Sequence, residues 1–453
     1  MASLDEAKHI HFVGIGGCSM SGLARVLKAQ GHIVTGSDRE PTQFTANLEK
    51  DGIRVYYGHK AQQVEGADLL VYSAAIKPDN VERVYAREHG IEEMERSVAL
   101  GQLSGRFHNV VAVAGCHGKT TITSMLAFLN EQANLDATLH VGGYVELLDG
   151  GVHLGSRDLF ITEACEYVQS FLTLRPTVAI VNNIDNDHLD CYGDMEHIVA
   201  AFDAFCRLVP SDGVIFGCID DEKVKSLLPT LERPYKTYGL RQGDYHADNI
   251  TYDENGYPAF DLIDEGQNLG RVLLSVPGEH NIVNAIAAFA VAKHLQVCFS
   301  DYAEAMHRFV NTKRRFELLG QKNGVRVYHD YGHHPNEIAA TLKAATRVPH
   351  KRIFCVFQCN SFTRARTLFC EKVTCFSDAD EVLVADIYPG RETDTGIVHA
   401  RDMVRGINEQ SHNATYLATF EEISAYLDAH ASPGDIVITV GSGDVYRQSQ
   451  KLL

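Results

Sequence analysis

The chain has 453 residues, of which 45% are hydrophobic and 22% charged, and its formal net charge is −18. This composition excludes a disordered protein and disfavours a nucleic-acid-binding surface, because an acidic protein repels a polyanion. No window is apolar enough to cross a membrane, and the N-terminus lacks the apolar core of a signal peptide. With eleven scattered cysteines and no Cys-x-x-Cys pair, we expect a cytoplasmic protein with reduced thiols and about two to four domains.

The first segment, up to about residue 104, alternates strands with helices. Strands are predicted over 9–13, 33–36 and 68–72, and a helix over 19–29. This alternation predicts a parallel sheet with ligand-binding loops at the carboxyl ends of its strands.

A glycine loop, Gly14, Gly16 and Gly17, follows the first strand. It is either a tight strand–helix turn or a site where a helix N-terminus holds a nucleotide or a sugar diphosphate. Asp38, about twenty residues further on, is a candidate partner for a ribose hydroxyl. An NAD-dependent oxidoreductase would rest on this loop alone, and Ser19 stands where the dinucleotide pattern requires its third glycine.

Residues 110–121 are the most informative stretch of the chain. They predict a buried strand over 110–114, a glycine loop, Lys119, Thr120 and a helix over 122–129. Backbone N–H groups, the helix dipole and the lysine together form a phosphate cradle, and Thr120 is placed to hold Mg²⁺. Val113 stands where the common pattern has a glycine, so a plain strand–helix turn is the alternative.

Two further apolar strands, over 159–162 and 177–182, are each followed by charged residues. Glu163 follows the first, and a carboxylate near the loop threonine suits Mg²⁺. His188 is either a ligand or a structural hydrogen-bonding residue. The turn at 253–256 predicts antiparallel hairpins over 245–276. In the helix predicted over 280–295, the polar residues near its start either cap it or line a purine site: His280, Asn281 and Asn284.

The third segment, from about residue 311, predicts a second doubly wound unit. Its strands are predicted over 325–328, 352–357, 382–387 and 436–440, and its helices over 335–346 and 400–408. Several polar clusters either lie on the surface or bind anions. One is the basic run 313–315. Another is residues 330–335, whose two adjacent histidines make a metal site an alternative. The others follow strand ends: Arg364, Arg366, Tyr388 and Arg391.

Seven motifs in order make the chain resemble the Mur ligases over essentially its whole length. They lie at residues 11–17, 115–121, 163–166, 186–190, 280–285, 314–317 and 330–335. Each motif is weak alone, but the ordered set is specific, and the run Tyr-Gly-His-His-Pro at 331–335 favours the alanine-adding branch.

The resemblance implies an α/β protein of three domains. The first, 1–104, would be a Rossmann-like domain that binds a UDP-sugar. The second, 105–310, would be a P-loop ATPase-type domain with a small antiparallel sheet. The third, 311–453, would be a Rossmann-like domain that closes on ATP and binds the amino acid.

The implied reaction is ATP-dependent and requires Mg²⁺. It joins L-alanine to the lactyl carboxylate of UDP-N-acetylmuramate through an acyl phosphate, in the synthesis of peptidoglycan precursors. The implied partners are these small molecules, with no nucleic acid and no membrane insertion, and the chain would be a monomer or a homodimer. Two alternatives stay open: a recycling ligase that adds a tripeptide, and a nucleotide-binding scaffold with a degenerate site.

The resemblance also assigns residues. Lys119, Glu163 and His188 would be catalytic, and Thr120, Glu163 and His188 would hold metal. The UDP-sugar would meet Gly14, Gly16, Gly17, Asp38 and Ser73. The amino-acid carboxylate would meet Arg364, Arg366, Tyr388 or Arg391. ATP would meet Gly115, Cys116, His117, Gly118, Lys119, Thr120, Thr121, His280, Asn281, Asn284, Arg314 and Asp330.

The chain departs from the family pattern at three places. Cys116 stands where threonine is usual, and Cys165 where many members have aspartate. Residues 358–361, Gln-Cys-Asn-Ser, replace a Gln-Pro-His run and a polar residue, which leaves open the preference for L-alanine over glycine or L-serine.

Overall fold

Three β-sheets follow one another along the chain in this computed structural model. The structure describes residues 3–390 and 392–453, with the side chain of Asp190 excepted. By its internal packing the chain divides into two compact units. The first runs up to Asp248 and adds Leu262–Gly270 and Val283–Arg308, and the second comprises Asn249–Asp261, Arg271–Ile282 and Phe309–Leu453.

The first sheet is parallel, with strand order β3-β2-β1-β4-β5. Because β1 lies between β2 and β4, the loop after β1 is at the point where the strand order reverses, the usual ligand position in such sheets. The strands are β1 (His9–Val13), β2 (Ile33–Asp38), β3 (Arg54–Tyr57), β4 (Leu69–Tyr72) and β5 (Glu92–Glu95), and the helices are α1 (Cys18–Ala29), α2 (Gln43–Lys50), α3 (Val81–Glu88) and α4 (Arg96–Ser104).

The second sheet has ten strands in the order β15-β14-β13-β12-β11-β10-β6-β9-β7-β8. Its strands are β6 (Asn109–Ala114), β7 (Thr138–Val145), β8 (Gly150–His153), β9 (Leu159–Ala164), β10 (Val178–Val181), β11 (Val214–Cys218), β12 (Tyr235–Tyr238), β13 (Tyr245–Tyr252), β14 (Pro258–Asp264) and β15 (Gln267–Leu273). Its helices are α5 (Lys119–Gln132), α6 (Leu189–Tyr192), α7 (Met195–Arg207), α8 (Glu222–Leu227), α9 (Glu279–His294) and α10 (Phe299–Arg308). Strand β6 pairs in parallel with β9 and β10, which brings the carboxyl ends of all three strands together.

The third sheet is mixed, with order β16-β17-β21-β18-β19-β20 and one antiparallel pair, β16 with β17, among its described pairs. Its strands are β16 (Glu317–Lys322), β17 (Val325–Asp330), β18 (Ile353–Phe357), β19 (Glu381–Val384), β20 (Ala414–Tyr416) and β21 (Ile436–Val440). Its helices are α11 (Pro335–Ala345), α12 (Phe362–Thr367), α13 (Phe369–Lys372), α14 (Ala400–Gln410), α15 (Phe420–His430) and α16 (Val445–Ser449). Short 3₁₀ turns along the chain are Ala61–Val64, Glu146–Leu148, Tyr167–Thr173, Leu228–Thr230 and Gln450–Leu452.

The predicted α/β fold class is confirmed, and the central strands are apolar because both faces of a parallel sheet are covered. All residues of β10, β18 and β21 are buried. Several predicted boundaries are wrong by a few residues, among them the end of the strand predicted over 382–387, which is Val384, and two of the errors bear on the site. Helix α5 begins at Lys119 and not at residue 122, because the polar first turn conceals its start. Strand β9 continues to Ala164, so Glu163 lies within the strand and not beyond it.

None of the helices in the part of the chain that the structure describes has the length and apolarity needed to span a membrane. The eleven cysteines all lie in described ranges, and each is a free thiol.

Candidate functional site

The loop between β6 and α5 has the shape that a phosphate group needs. Gly118 precedes the helix with a φ of +85°, in the left-handed region that glycine adopts without strain. A Cβ at this position would lie 2.5 Å from Asn182 Nδ2 and 2.7 Å from Asn284 Oδ1, so the close packing also requires glycine. Glycine offers no capping side chain, and the helix start therefore presents N–H groups to an anion. Thr121, in the first turn, is buried.

Lys119 is held at this loop by three acceptors. Its Nζ donates to Gly115 O at 2.5 Å, to Cys116 O at 3.1 Å and to Glu166 Oε2 at 2.7 Å. Burial is the largest single influence on the pKa of Lys119 and would lower it, but the charge and hydrogen bond of Glu166, with the neighbouring sulfurs, together raise it. Burial is also the largest influence on the pKa of Glu166 and would raise it, but the charge of Lys119 and the hydrogen bonds from His188, Lys119 and the main chain together lower it. The pair is therefore ionised at neutral pH.

Thr120 and Glu163 are brought together beside the lysine. Thr120 Oγ1 donates to Glu163 Oε2 at 3.1 Å, and the Gly142 N–H of strand β7 donates to Glu163 Oε1 at 2.5 Å. A Cβ at Gly142 would lie 2.7 Å from Glu163 Oε2, so a larger residue would push the carboxylate away from the Gly142 N–H. The result is a hydroxyl and a carboxylate oxygen 3.1 Å apart.

His188 lies next to Glu166 and not next to Glu163. It is the residue before α6, with a φ of +58°, and its ring packs against Tyr167 at a centroid distance of 4.8 Å. His188 Nε2 is 3.5 Å from Glu166 Oε1 and 3.6 Å from Asp187 Oδ2. His188 Nδ1 is buried and has no hydrogen-bond partner among the described residues.

Two sets of side chains at this edge suit a divalent cation. The first is the hydroxyl of Thr120 with the carboxylate of Glu163, oxygen ligands of the kind that Mg²⁺ takes. The second is Glu166, Asp187 and His188, whose ligand atoms all lie within 4.8 Å of one another. The nitrogen of His188 that faces the two carboxylates of the second set is Nε2, and a neutral imidazole nitrogen beside two carboxylates is a donor set that fits a divalent cation.

The segment after β10 supports the phosphate loop and gives Cys116 a physical explanation. The sulfur of Cys116 accepts the Asp185 N–H at 3.1 Å, and burial, followed by the charge of Glu166, raises the pKa of its thiol. His117 Nε2 lies 2.8 Å from Asp185 Oδ2, and the His117 N–H donates to Asn183 Oδ1 at 2.8 Å. A neutral thiol thus serves here as a small buried acceptor.

The first glycine loop is braced by the end of β2. Gly14 N–H donates to Ser37 O at 2.8 Å, and Gly16 N–H donates to Asp38 Oδ2 at 2.7 Å. Gly17 is the residue before α1, and Ser73 Oγ lies beside Gly14. The carboxylate of Asp38 therefore holds the loop, and its contact with a ribose stays a prediction.

In the second unit, His280 and Asn281 lie at the start of α9, and burial followed by the charge of Arg315 lowers the pKa of His280 to about 4. Asn281 Nδ2 donates to Pro277 O at 2.7 Å. Asp330 accepts the N–H groups of Phe316 at 2.8 Å and Gly332 at 2.6 Å. Burial raises its pKa, against the charge of Arg315.

Arg314 stacks its guanidinium 4.4 Å from the Tyr331 ring and 5.2 Å from the Tyr446 ring. Its φ of +70° is strained for a residue with a side chain. Its Nε is buried without a hydrogen-bond partner among the described residues.

The candidates for binding a carboxylate lie near the carboxyl end of β18. Arg364 and Arg366 are on α12. The Ser361 N–H donates to Tyr388 O at 2.8 Å, which joins the segment after β19 to the start of α12. Arg391 lies outside the described residues.

The sequence argument did not single out Glu166, Asp187 or Asn182. Glu166 is the contact that links Lys119 to His188, and Asn182 Nδ2 donates to His117 O at 3.1 Å. Their positions could have identified these three residues as site candidates, because each follows the carboxyl end of an apolar strand in the central sheet.

The fold is that of an α/β protein with a glycine loop between β6 and α5 and a lysine at the start of α5, and the comparison with known families assigns the chain to one of them. The Mur ligase family, catalytic domain, matches residues 9–108. The Mur ligase middle domain matches residues 113–292, and the Mur ligase, glutamate ligase domain, matches residues 314–443. The chain belongs to the Mur ligase family.

Individual relatives are similar over nearly the full length. A UDP-N-acetylmuramate–L-alanine ligase of Clostridium botulinum (strain Okra / Type B1) is 43% identical over 443 residues, covering 98% of this chain and 97% of its own. The crystal structure of UDP-N-acetylmuramate-alanine ligase MurC from Thermotoga maritima matches with a TM-score of 0.82 at 27% identity, covering 99% and 98% of the two chains. A murein peptide ligase of Psychrobacter arcticus matches with a TM-score of 0.71 at 26% identity, with 98% of each chain covered.

Proposed function

We propose that this chain is an ATP-dependent ligase that joins L-alanine to the lactyl carboxylate of UDP-N-acetylmuramate. The observation that carries the proposal is the group around the phosphate loop, in which Lys119 pairs with Glu166 while Thr120 meets Glu163. The similarity to ligases that bear this activity in their names, at 43% identity over the whole chain, supports the choice of substrates.

The proposed chemistry explains why positive charge is needed at this edge of the central sheet, where Lys119 lies. A carboxylate is a poor acyl donor, so the lactyl oxygen first takes the γ-phosphoryl group of ATP and releases ADP. The L-alanine amine then attacks the acyl carbon, an amide forms, and phosphate leaves. Both the carboxylate and the triphosphate are anions, and fixed positive charge must offset their repulsion.

Each residue then has a role in the proposed reaction. Lys119 exchanges its loop carbonyls for the β- and γ-phosphates and keeps its charge there. Thr120 and Glu163 would hold one Mg²⁺, and His188 with Glu166 a second, and the ions would neutralise developing phosphate charge. Of the adenine candidates, Asn284 belongs to the first unit and His280 and Asn281 to the second.

The three family segments support the proposed division of labour, with the UDP-sugar on 1–104, ATP on 105–310 and the amino acid on 311–453. Gly14, Gly16, Gly17 and Ser73 would meet the UDP-sugar. Arg364, Arg366 and Tyr388 would meet a carboxylate, and Arg314 and Asp330 the nucleotide. We place the enzyme in the cytoplasm, where ATP is available, as a monomer or a homodimer.

The direct test supplies Mg²⁺, ATP and UDP-N-acetylmuramate with single amino acids, and follows phosphate release and product mass. We expect release and the alanyl product with L-alanine, and weaker turnover with glycine and L-serine. Release with a tripeptide but with no single amino acid would replace the proposal with the recycling ligase. Nucleotide binding without release under any condition would indicate a scaffold.

A further inference from the structure

A lysine in the third sheet's core lies outside the proposed reaction. Lys372 is the last residue of α13 and is only 1% exposed, a value unusual for an ammonium group. It lies in the second unit, on a segment whose neighbours in sequence, Phe362, Ala365 and Val373, belong to the apolar core there. Removing an ammonium from water is costly unless an opposite charge or strong acceptors compensate.

The partners of Lys372 are few and unusual. Its Nζ donates to Cys359 Sγ at 3.3 Å and to the Arg364 carbonyl at 3.1 Å. No carboxylate among the described residues lies within ion-pair distance of it. Cys359 is itself 3% exposed. The Cys359 sulfur and the Arg364 carbonyl are the partners that the described residues offer to Lys372 Nζ.

The contact brings a sulfur that peroxides can oxidise and a lysine nitrogen together in a buried site, 3.3 Å apart. Once oxidised, such a sulfur is an electrophile beside a nitrogen nucleophile. The pair is thus placed for a bond between its two side chains.

We propose that Cys359 and Lys372 form an oxidation-dependent covalent bridge. A peroxide oxidises the Cys359 thiol to a sulfenic acid and is reduced to water. The Lys372 amine then attacks the sulfur, an S–N bond forms, and the sulfenic oxygen leaves as a second water. Sulfenic acids undergo this condensation with nitrogen nucleophiles, and a thiol reductant reverses it.

A bridge between Cys359 and Lys372 would affect the segment that leads from β18 to α12. Cys359 and Asn360 lead from β18 to Ser361, whose φ of +69° is strained, and Ser361 caps α12 by accepting the Arg364 N–H at 3.3 Å. A bond from Cys359 to α13 would fix this segment.

Another sulfur in the neighbourhood is oriented differently. Cys375 Sγ donates to the Lys372 backbone carbonyl at 3.2 Å, so its hydrogen faces the main chain. Burial, against the charge of Lys372, raises the pKa of this thiol to about 12. Cys375 therefore serves as the matched control.

The test treats the full-length protein with hydrogen peroxide, blocks remaining thiols with iodoacetamide, and maps tryptic peptides by mass. Trypsin cuts after Arg364 and Arg366, so Cys359 and Lys372 separate unless they are linked, and a modified Lys372 also blocks cleavage after itself. We expect a linked pair of peptides lighter by two hydrogen atoms than the unlinked sum, and its loss on treatment with dithiothreitol.

Three variants complete the experiment. Lys372→Met keeps an unbranched apolar chain that suits a buried site, and it and Cys359→Ser should both abolish the linked peptide, whereas Cys375→Ser should leave it. The proposal is overturned if Cys359 carries only added oxygen while Lys372 is cut normally. It is equally overturned if the exposed Cys370 oxidises fully while Cys359 stays reduced, or if the link joins Cys375.

Discussion

Glu166 organises the candidate site at the scale of single residues. One of its oxygens accepts from Lys119 and the other lies 3.5 Å from His188, while its backbone carbonyl accepts the Tyr192 hydroxyl. A charge this buried is stable only because it is paired, and removing one partner leaves the other uncompensated.

Replacing Glu166 with glutamine tests this role at nearly constant volume. We expect turnover to fall by about 10²–10³, the effect typical of losing one charge-stabilising group, because Lys119 then lacks a counter-charge. Steady-state phosphate release measures it. Glu131→Gln, at an exposed ion pair on α5, is the control and should stay near wild type. Normal turnover in Glu166→Gln would remove Glu166 from the site.

Glu163 has a separate, testable role because its partner is Thr120 and not Lys119. In Glu163→Ala the carboxylate is lost, so we expect the Mg²⁺ concentration for half-maximal activity to rise by about tenfold or more, since one ligand of a hard cation is missing. A titration of activity with Mg²⁺ at saturating ATP measures it. An unchanged midpoint would show that Glu163 does not bind metal.

The sequence predicted the residues of the loop between β6 and α5 but not the hydrogen-bond partners that hold them. Lys119 and Thr120 were recognisable because a strand, a glycine loop and a helix have a local pattern. Lys119 is held by Glu166, which follows β9, and Thr120 by Glu163 on β9, which in turn accepts from Gly142 of β7. These contacts depend on sheet order, which no local pattern contains. Cys116 was unexplained for the same reason, since its partner is Asp185 across the sheet edge.

At the scale of elements, strand β7 joins the first glycine loop to the phosphate site within the first unit. His140 Nε2 lies 3.0 Å from Ser19 Oγ at the start of α1, and His140 Nδ1 lies 3.2 Å from Thr162 Oγ1, beside Glu163. Two residues further on, Gly142 binds Glu163 directly. Ser19, the residue that argues against an NAD site, is thus a packing contact between the first and second sheets.

Replacing His140 with valine removes both contacts while keeping an apolar strand residue. We expect the free energy of unfolding to fall by about 1–3 kcal/mol, because Ser19 and Thr162 lose a buried partner. We also expect the Michaelis constant for UDP-N-acetylmuramate to rise several-fold. Urea unfolding and steady-state kinetics measure the two effects. His153→Val, at a half-buried residue of neighbouring β8, should change neither, and equal losses in both variants would contradict the role of His140.

The whole fold was more predictable than the site. Apolar runs gave the positions of the central strands, because parallel strands are buried on both faces. Their lateral order, and the placing of residues 249–261 and 271–282 in the second unit, arise from long-range packing. At Glu163 the predicted strand boundary was wrong because β9 continues into a polar residue of the candidate site, where the apolar run has already ended.

For the molecule as a whole, three buried histidines make the free energy of unfolding depend on pH in the acid range. Burial lowers the pKa of His140 to about 4 in the first unit, and of His280 to about 4 and His329 to about 3 in the second. The unfolded chain binds protons at its ordinary histidine pKa of about 6.5, and the folded chain does not. Their contribution to stability is therefore complete above that pH and is lost as the pH falls towards the folded values.

We therefore expect the free energy of unfolding to decrease steadily between about pH 6.5 and pH 4, by up to about 3 kcal/mol for each buried histidine. Urea denaturation across this range measures the slope. Because the histidines lie in both units, each unfolding transition should shift if the two units unfold separately. His140→Val should show a shallower slope than His153→Val, because it removes a buried histidine whose pKa is lowered. Equal slopes in the two variants would show that His140 takes up its proton without unfolding the chain.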